Sequence, residues 1–120
     1  MIDYTDFEKV EIRVGTVVAA EVPEWSHWVM KLEVDFGKDI GKKKAFSGIM
    51  KFYKPEELVG RQFPFVVNLE PKKIGPEKEF SEVMMIMASP GDELPEEEAE
   101  ETAPVLFELK AAVPEGTKVR

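Results

Sequence analysis

Between Met30 and Phe36 the chain alternates with a period of two. Met30, Leu32, Val34 and Phe36 are apolar, and Lys31, Glu33 and Asp35 between them are charged. Successive side chains of a β-strand point to opposite faces, so this stretch reads as a strand with one face buried and one in water. A strand of that kind needs partner strands and a covered inner face, which excludes an all-helical architecture.

The partners are legible along the rest of the sequence. Ile12 to Ala20 is rich in β-branched residues and reads as a long first strand, with Gly15 marking a bulge or a barrel corner. Lys44 to Met50 is a third strand and Phe63 to Val67 a fourth. Val83 to Met87 is a continuous apolar run, as expected of a strand buried on both faces with Met84, Met85 and Met87 in the core. Val105 to Val113 returns as a last strand. Thr5-Asp6-Phe7-Glu8 has capping-box spacing and predicts one helical turn at the start. Pro55 to Gly60 predicts a short helix, with Pro near its first position, acids in the first turn and Gly after its end. Val22 to Trp28, Gly37 to Gly41 and Glu70 to Phe80 read as loops, and Phe52 or Tyr53 as an apolar staple on the short helix. Short strands with one helix between the third and fourth predict an all-β fold, a five-stranded Greek-key OB barrel with extra terminal segments. No repeat or linker divides the chain, so 1–120 is expected to be a single domain.

Charge narrows the function. The 120 residues hold 16 basic and 24 acidic side chains, for a net charge of −8. Residues 1–80 carry 13 basic and 14 acidic groups, net −1, whereas 81–120 carry 3 and 10, net −7. The excess is concentrated in the acidic loop 92–101, whose field is screened beyond about 8–10 Å. The first 80 residues are close to neutral, so basic patches there remain able to meet phosphate. With no Cys, disulfides, thiolate metal sites and Cys nucleophiles are excluded. No phosphate-binding glycine loop, dinucleotide fingerprint or calcium-loop spacing occurs, so no cofactor and no metal are expected. His27 is the only histidine, and its neighbour Ser26 is too close in sequence to serve it as a nucleophile. The chain is therefore expected to be a binding module with no catalytic residues. It has no apolar run long enough to span a membrane and no signal peptide, so a soluble, cytoplasmic protein is expected.

An OB barrel binds ligands across its second and third strands, flanked by the loops joining strands one to two and four to five. The first of those loops holds Trp25, His27 and Trp28. The third strand begins with Lys42, Lys43 and Lys44, and the later loop holds Lys72, Lys73 and Lys78. Lysines neutralise phosphates and planar rings stack on unpaired bases, so both halves of a nucleic-acid site meet on the expected face. Each segment alone also has a plainer reading: a lysine triplet as a solvated turn, and paired tryptophans as packing on the barrel or on a partner subunit.

The stretch Asp6-Phe7-Glu8-Lys9-Val10-Glu11-Ile12-Arg13-Val14-Gly15-Thr16-Val17 resembles the opening of the tRNA-binding OB domains. That group includes free-standing dimeric tRNA-binding proteins, the C-terminal or β-subunit domain of methionyl-tRNA synthetases, and the export-related chaperone CsaA. Lys31 to Gly37, Asp39 to Lys43, Tyr53 to Gln62 and Ser81-Glu82-Val83 look most like CsaA. Phe46-Ser47-Gly48-Ile49 and Asn68 to Lys73 look like the synthetase type. The usual His-Pro-x-Ala-Asp loop is replaced by Val22-Pro23-Glu24-Trp25-Ser26-His27-Trp28. The Arg-Gly after the lysine pair is replaced by Gly75 to Phe80, and of a Ser-x-x-Met ending Ser81 keeps its place, with Met84 three later.

The resemblance implies tRNA as partner, held by Lys42, Lys43, Lys44, Lys72, Lys73 and Ser81 with Trp25, His27 or Trp28 beside it. It also implies a homodimer formed largely through the N-terminal segment, strand edges and the C-terminal strand. A CsaA-like role would add unfolded export clients, held on apolar surface at Phe46, Met50, Phe52 and Tyr53. A synthetase-like role would add a separate catalytic chain as partner.

Overall fold

Strand β1 (Ile12–Glu21) is the hub of the fold in the computed structural model, which describes residues 1–120. It pairs antiparallel with β2 (Met30–Asp35) along its second half and with β4 (Gln62–Val66) along its first. β3 (Lys42–Ser47) lies beyond β2, and β7 (Met84–Met85) beyond β4. The circuit closes where β6 (Glu79–Ser81) runs into β7 past β3. There Glu82 N–H donates to the Lys44 carbonyl at 2.8 Å. Phe46 N–H donates to Ser81 Oγ at 3.0 Å and Lys44 N–H to Glu82 Oε1 at 3.2 Å. The result is a five-stranded OB barrel with a 3-10 turn, Pro55–Glu57, between β3 and β4.

The period-two reading of β2 holds residue by residue. Met30, Leu32, Val34 and Phe36 are at most 1% exposed and face Val17, Ala45, Phe63, Phe65 and Met85 in a single core. Phe36 and Phe65 meet edge to face with centroids 5.4 Å apart, the geometry that the ring quadrupoles favour. Gly15 is not the bulge: the register shifts between Val17 and Ala19 instead. Gly15 faces inward where two strands cross closely. A Cβ there would meet Val34 Cγ1 and come within 2.7 Å of Phe36 Cε1.

Other boundaries move for physical reasons. The first helix, α1 (Tyr4–Glu8), is capped by Asp3 with no side-chain bond. The Asp3 carbonyl accepts the N–H groups of Asp6 and Phe7, so Thr5 lies inside the helix and cannot cap it. Glu57 does reach back to the Lys54 N–H at 3.0 Å to start the 3-10 turn, and Gly60 leaves it at φ 84°. β3 begins and ends earlier than expected. The expected loop 70–80 contains a hairpin, β5 (Lys72–Ile74) against β6. The apolar run 83–87 is not buried on both faces. Val83 and Met85 point into the core, while Met84 is 50% exposed and Met87 begins β8 (Met87–Ala88) only half-buried.

The expected last strand is short. β9 (Val105–Leu106) pairs with β8, and the chain then crosses the barrel without a strand, touching the start of β4 through Leu109 N–H, which donates to the Gln62 carbonyl at 3.0 Å. Gln62 holds this strap instead. Its Nε2 donates to the Val113 carbonyl at 2.7 Å and to Thr16 Oγ1 at 3.1 Å, and its Oε1 accepts the Val113 N–H at 3.0 Å. The strap ends in β10 (Lys118–Val119), which pairs with β1 at Arg13 and Ile12. Gln62→Leu removes these bonds and leaves the Val113 polar groups unmet, at a cost of about 1–3 kcal/mol. Urea unfolding should show a lower midpoint with an unchanged slope; an unaltered midpoint would show that the strap is held elsewhere.

Candidate nucleic-acid interface

The outer face of β2 and β3 presents Lys31, Glu33 and Asp35 opposite Phe46, Lys44 and Lys42. Lys43 pairs with Val34 and belongs to the alternate row. Only part of the expected lysine cluster is therefore on one face. These lysines are also matched by carboxylates. Lys42 lies 3.9 Å from Glu33, Lys43 3.8 Å from Glu82, and Lys31 3.9 Å from Glu21. Glu79 Oε1 takes a hydrogen bond from Lys31 Nζ at 2.7 Å and sits 3.5 Å from Lys44 Nζ. That bond from Lys31 holds the Glu79 carboxyl below its ordinary range, and the same bond raises Lys31 above its own.

The β5–β6 hairpin stands beside this face. Lys72 and Lys73 are exposed and meet no carboxylate; Lys73 Nζ lies 5.9 Å from the centre of the Phe80 ring. Lys78 shapes the turn at φ 55°. Trp25 secures the hairpin tip. Its half-buried ring lies 6.3 Å from Phe46, and it packs so closely on Gly75 that a Cβ there would fall 2.6 Å from Cη2. Ser26 was not foreseen as important. It is 8% exposed, and its hydroxyl donates to the Val29 carbonyl while accepting the Trp28 and Val29 N–H groups. It thereby fixes the loop that carries both tryptophans.

Trp28 lies apart from the hairpin lysines, in a cleft that it shares with Lys51. It is 67% exposed and, with His27 and Phe52, lines this cleft of about 750 Å³, whose other wall carries Asp92, Glu96 and Glu100. The acidic segment thus folds over the barrel and contains a short helix, α2 (Glu96–Ala99). The expected apolar surface at 46–53 is divided. Phe46 lies under Trp25, Phe52 lines the cleft, and Tyr53 packs on the core with its hydroxyl donating to the Pro104 carbonyl at 2.6 Å. Met50 is half-buried. Ser81 belongs to the barrel seam, its hydroxyl engaged by the Phe46 N–H and the Val83 carbonyl.

No group of three or more His, Asp or Glu side chains is placed to hold a metal ion. No helix is long and apolar enough to cross a membrane. Sequence reasoning missed Lys31, Glu79, Phe80 and the hairpin that carries the last two. The signal was present in Lys72-Lys73-Ile74 and Glu79-Phe80-Ser81 flanking a Gly75-Pro76 turn.

Residues 12–118 match the family described as "Putative tRNA binding domain". The chain is 44% identical over 69 residues to a methionine–tRNA ligase of Dichelobacter nodosus, a match covering 58% of this chain. It spans only about 10% of that relative's length. Two solved structures align over the full chain. Chaperone CsaA from Bacillus anthracis does so at 32% identity and a TM-score of 0.81, with 99% of that chain covered. A MetRS related protein from Pyrococcus horikoshii does so at 33% identity and a TM-score of 0.83, with 98% covered.

Proposed function

From the premise that the chain belongs to the tRNA-binding domain family, we propose that it binds tRNA without catalysing a reaction, as a homodimer of the CsaA type. The observation that carries the reading is the β5–β6 hairpin. It sets Lys72 and Lys73, free of carboxylate partners, beside the β2–β3 face on which OB barrels hold nucleic acid. The phosphate backbone runs along the hairpin, with Phe80, 42% exposed, as a ring for stacking. A second copy of the chain covers the N-terminal segment, where Ile2, Tyr4, Phe7 and Val10 are exposed and α1 buries nothing of its own.

Titration of bulk tRNA, followed by gel mobility shift, tests this. Saturable binding near micromolar concentration is expected, weakening with salt by about 0.7–0.9 log units per log unit of salt for each phosphate neutralised. No complex even at low salt would overturn it.

The acid-walled cleft favours a second reading. Its aromatic and carboxylate lining suits the basic segments of unfolded polypeptides, which Trp28 and Phe52 would contact. A protein working this way suppresses aggregation of a denatured client and leaves tRNA unbound.

A further inference from the structure

The strand face is neutralised from within. Lys31, Lys42, Lys43 and Lys44 are matched by Glu21, Glu33, Glu79 and Glu82 at separations of 2.7–3.9 Å. Glu79 differs from the others. One oxygen of its carboxylate bridges two ammonium groups from adjacent strands, Lys31 of β2 and Lys44 of β3. It is delivered by neither strand but by the hairpin, through β6. Its side chain is only 22% exposed, while the two lysines keep 26% and 37%. Two ammonium groups that converge on one anionic oxygen form a pair that a phosphodiester oxygen also suits.

We infer that Lys31 and Lys44 form a phosphate subsite and that Glu79 is its resident anion, which a nucleic-acid phosphate must displace. The inference rests on the tRNA reading. Because Glu79 is tethered to the hairpin, it competes at an effective concentration that a generic polyanion cannot match. The subsite is thereby closed to casual phosphate. An RNA that engages Lys72 and Lys73 acts on the hairpin that carries Glu79, so hairpin contact and opening of the subsite are mechanically joined. Glu79 thus sets how strongly Lys31 and Lys44 contribute, which the lysine count alone misstates.

The test compares the parent protein with Glu79→Gln and Glu97→Gln, using bulk tRNA and an oligouridylate at low and physiological salt. Glu97 lies on α2 and removes the same charge away from the face. Glu79→Gln should bind both RNAs roughly three- to tenfold more tightly than Glu97→Gln, since a repulsion at the strand face is lifted and two ammonium groups are released. Its salt dependence should steepen by about 0.7–0.9 per phosphate gained. A Glu79→Gln/Lys31→Gln double variant should lose the gain. If the parent binds tRNA and Glu79→Gln binds no more tightly than Glu97→Gln, the subsite is refuted while the tRNA reading stands. If the double variant keeps the gain, Lys31 is not part of it and the subsite is refuted. A parent that forms no complex at low salt overturns the tRNA reading and with it the subsite that rests on it, whatever Glu79→Gln binds. Failure of all variants at low salt refutes both readings. Melting curves confirm that each variant is folded before binding is compared.

Discussion

Phe65→Ala is expected to lower the melting temperature by roughly 10–20 °C, from a cost of about 3–5 kcal/mol. Phe65 is 0% exposed on β4, the strand with β1 on one side and β7 on the other. Its ring meets Phe36 edge to face. Truncation leaves a void that β4 cannot fill by moving, because both its edges are hydrogen-bonded. Domains of this size are stable by only about 5–15 kcal/mol in total, so the loss is a large share. The same truncation at Phe80, 42% exposed on the hairpin, should be close to neutral. Thermal melts followed by circular dichroism make the comparison. If Phe65→Ala melts within a few degrees of the parent, the barrel interior is not what holds the chain together.

The second large effect concerns binding. Reversing both hairpin lysines, as Lys72→Glu/Lys73→Glu, should weaken tRNA binding by about tenfold or more at low salt and flatten the salt dependence by roughly 1.4–1.8. Neither side chain has a carboxylate partner or a place in the core, so the fold should be untouched. The matching reversal on the strand, Lys42→Glu/Lys43→Glu, should cost less, because Glu33 and Glu82 already offset those lysines. Equal losses from the two pairs would move the RNA path from the hairpin to the strands. Unchanged affinity in the hairpin variant would remove these lysines from the site altogether.

What could be read from the sequence followed from local rules. The alternation at 30–36 names one buried face, and Pro55 with Gly60 brackets a single turn, so the barrel and its helical punctuation were visible. A continuous apolar run such as 83–87 carries no such information. It cannot say that Met84 points outward while Val83 and Met85 point inward. The hairpin was hidden by its charge: lysines and glutamates around Gly75-Pro76 look like a loop, and it is held in place by contacts distant in sequence, the Trp25 ring against Gly75 and the bond from Lys31 to Glu79. The candidate site was half legible for a related reason. The lysine triplet is a local feature, but Lys31 and Glu79 are 48 residues apart and Lys44 and Glu82 are 38 apart. Pairings over such distances depend on how the barrel closes, and no spacing rule reports them.

The closure itself has a dynamic consequence. Elsewhere the strands are joined by backbone ladders, but at the seam a single backbone bond, from Glu82 N–H to the Lys44 carbonyl, is supplemented by Phe46 and Lys44 donating to side-chain oxygens of Ser81 and Glu82. A side-chain acceptor can rotate away without moving its own backbone, so local opening of the barrel begins along this line. Lys44 belongs both to the seam and to the cationic face. An anion that draws the Lys44 ammonium outward is therefore expected to change the hydrogen-exchange protection of the seam amides.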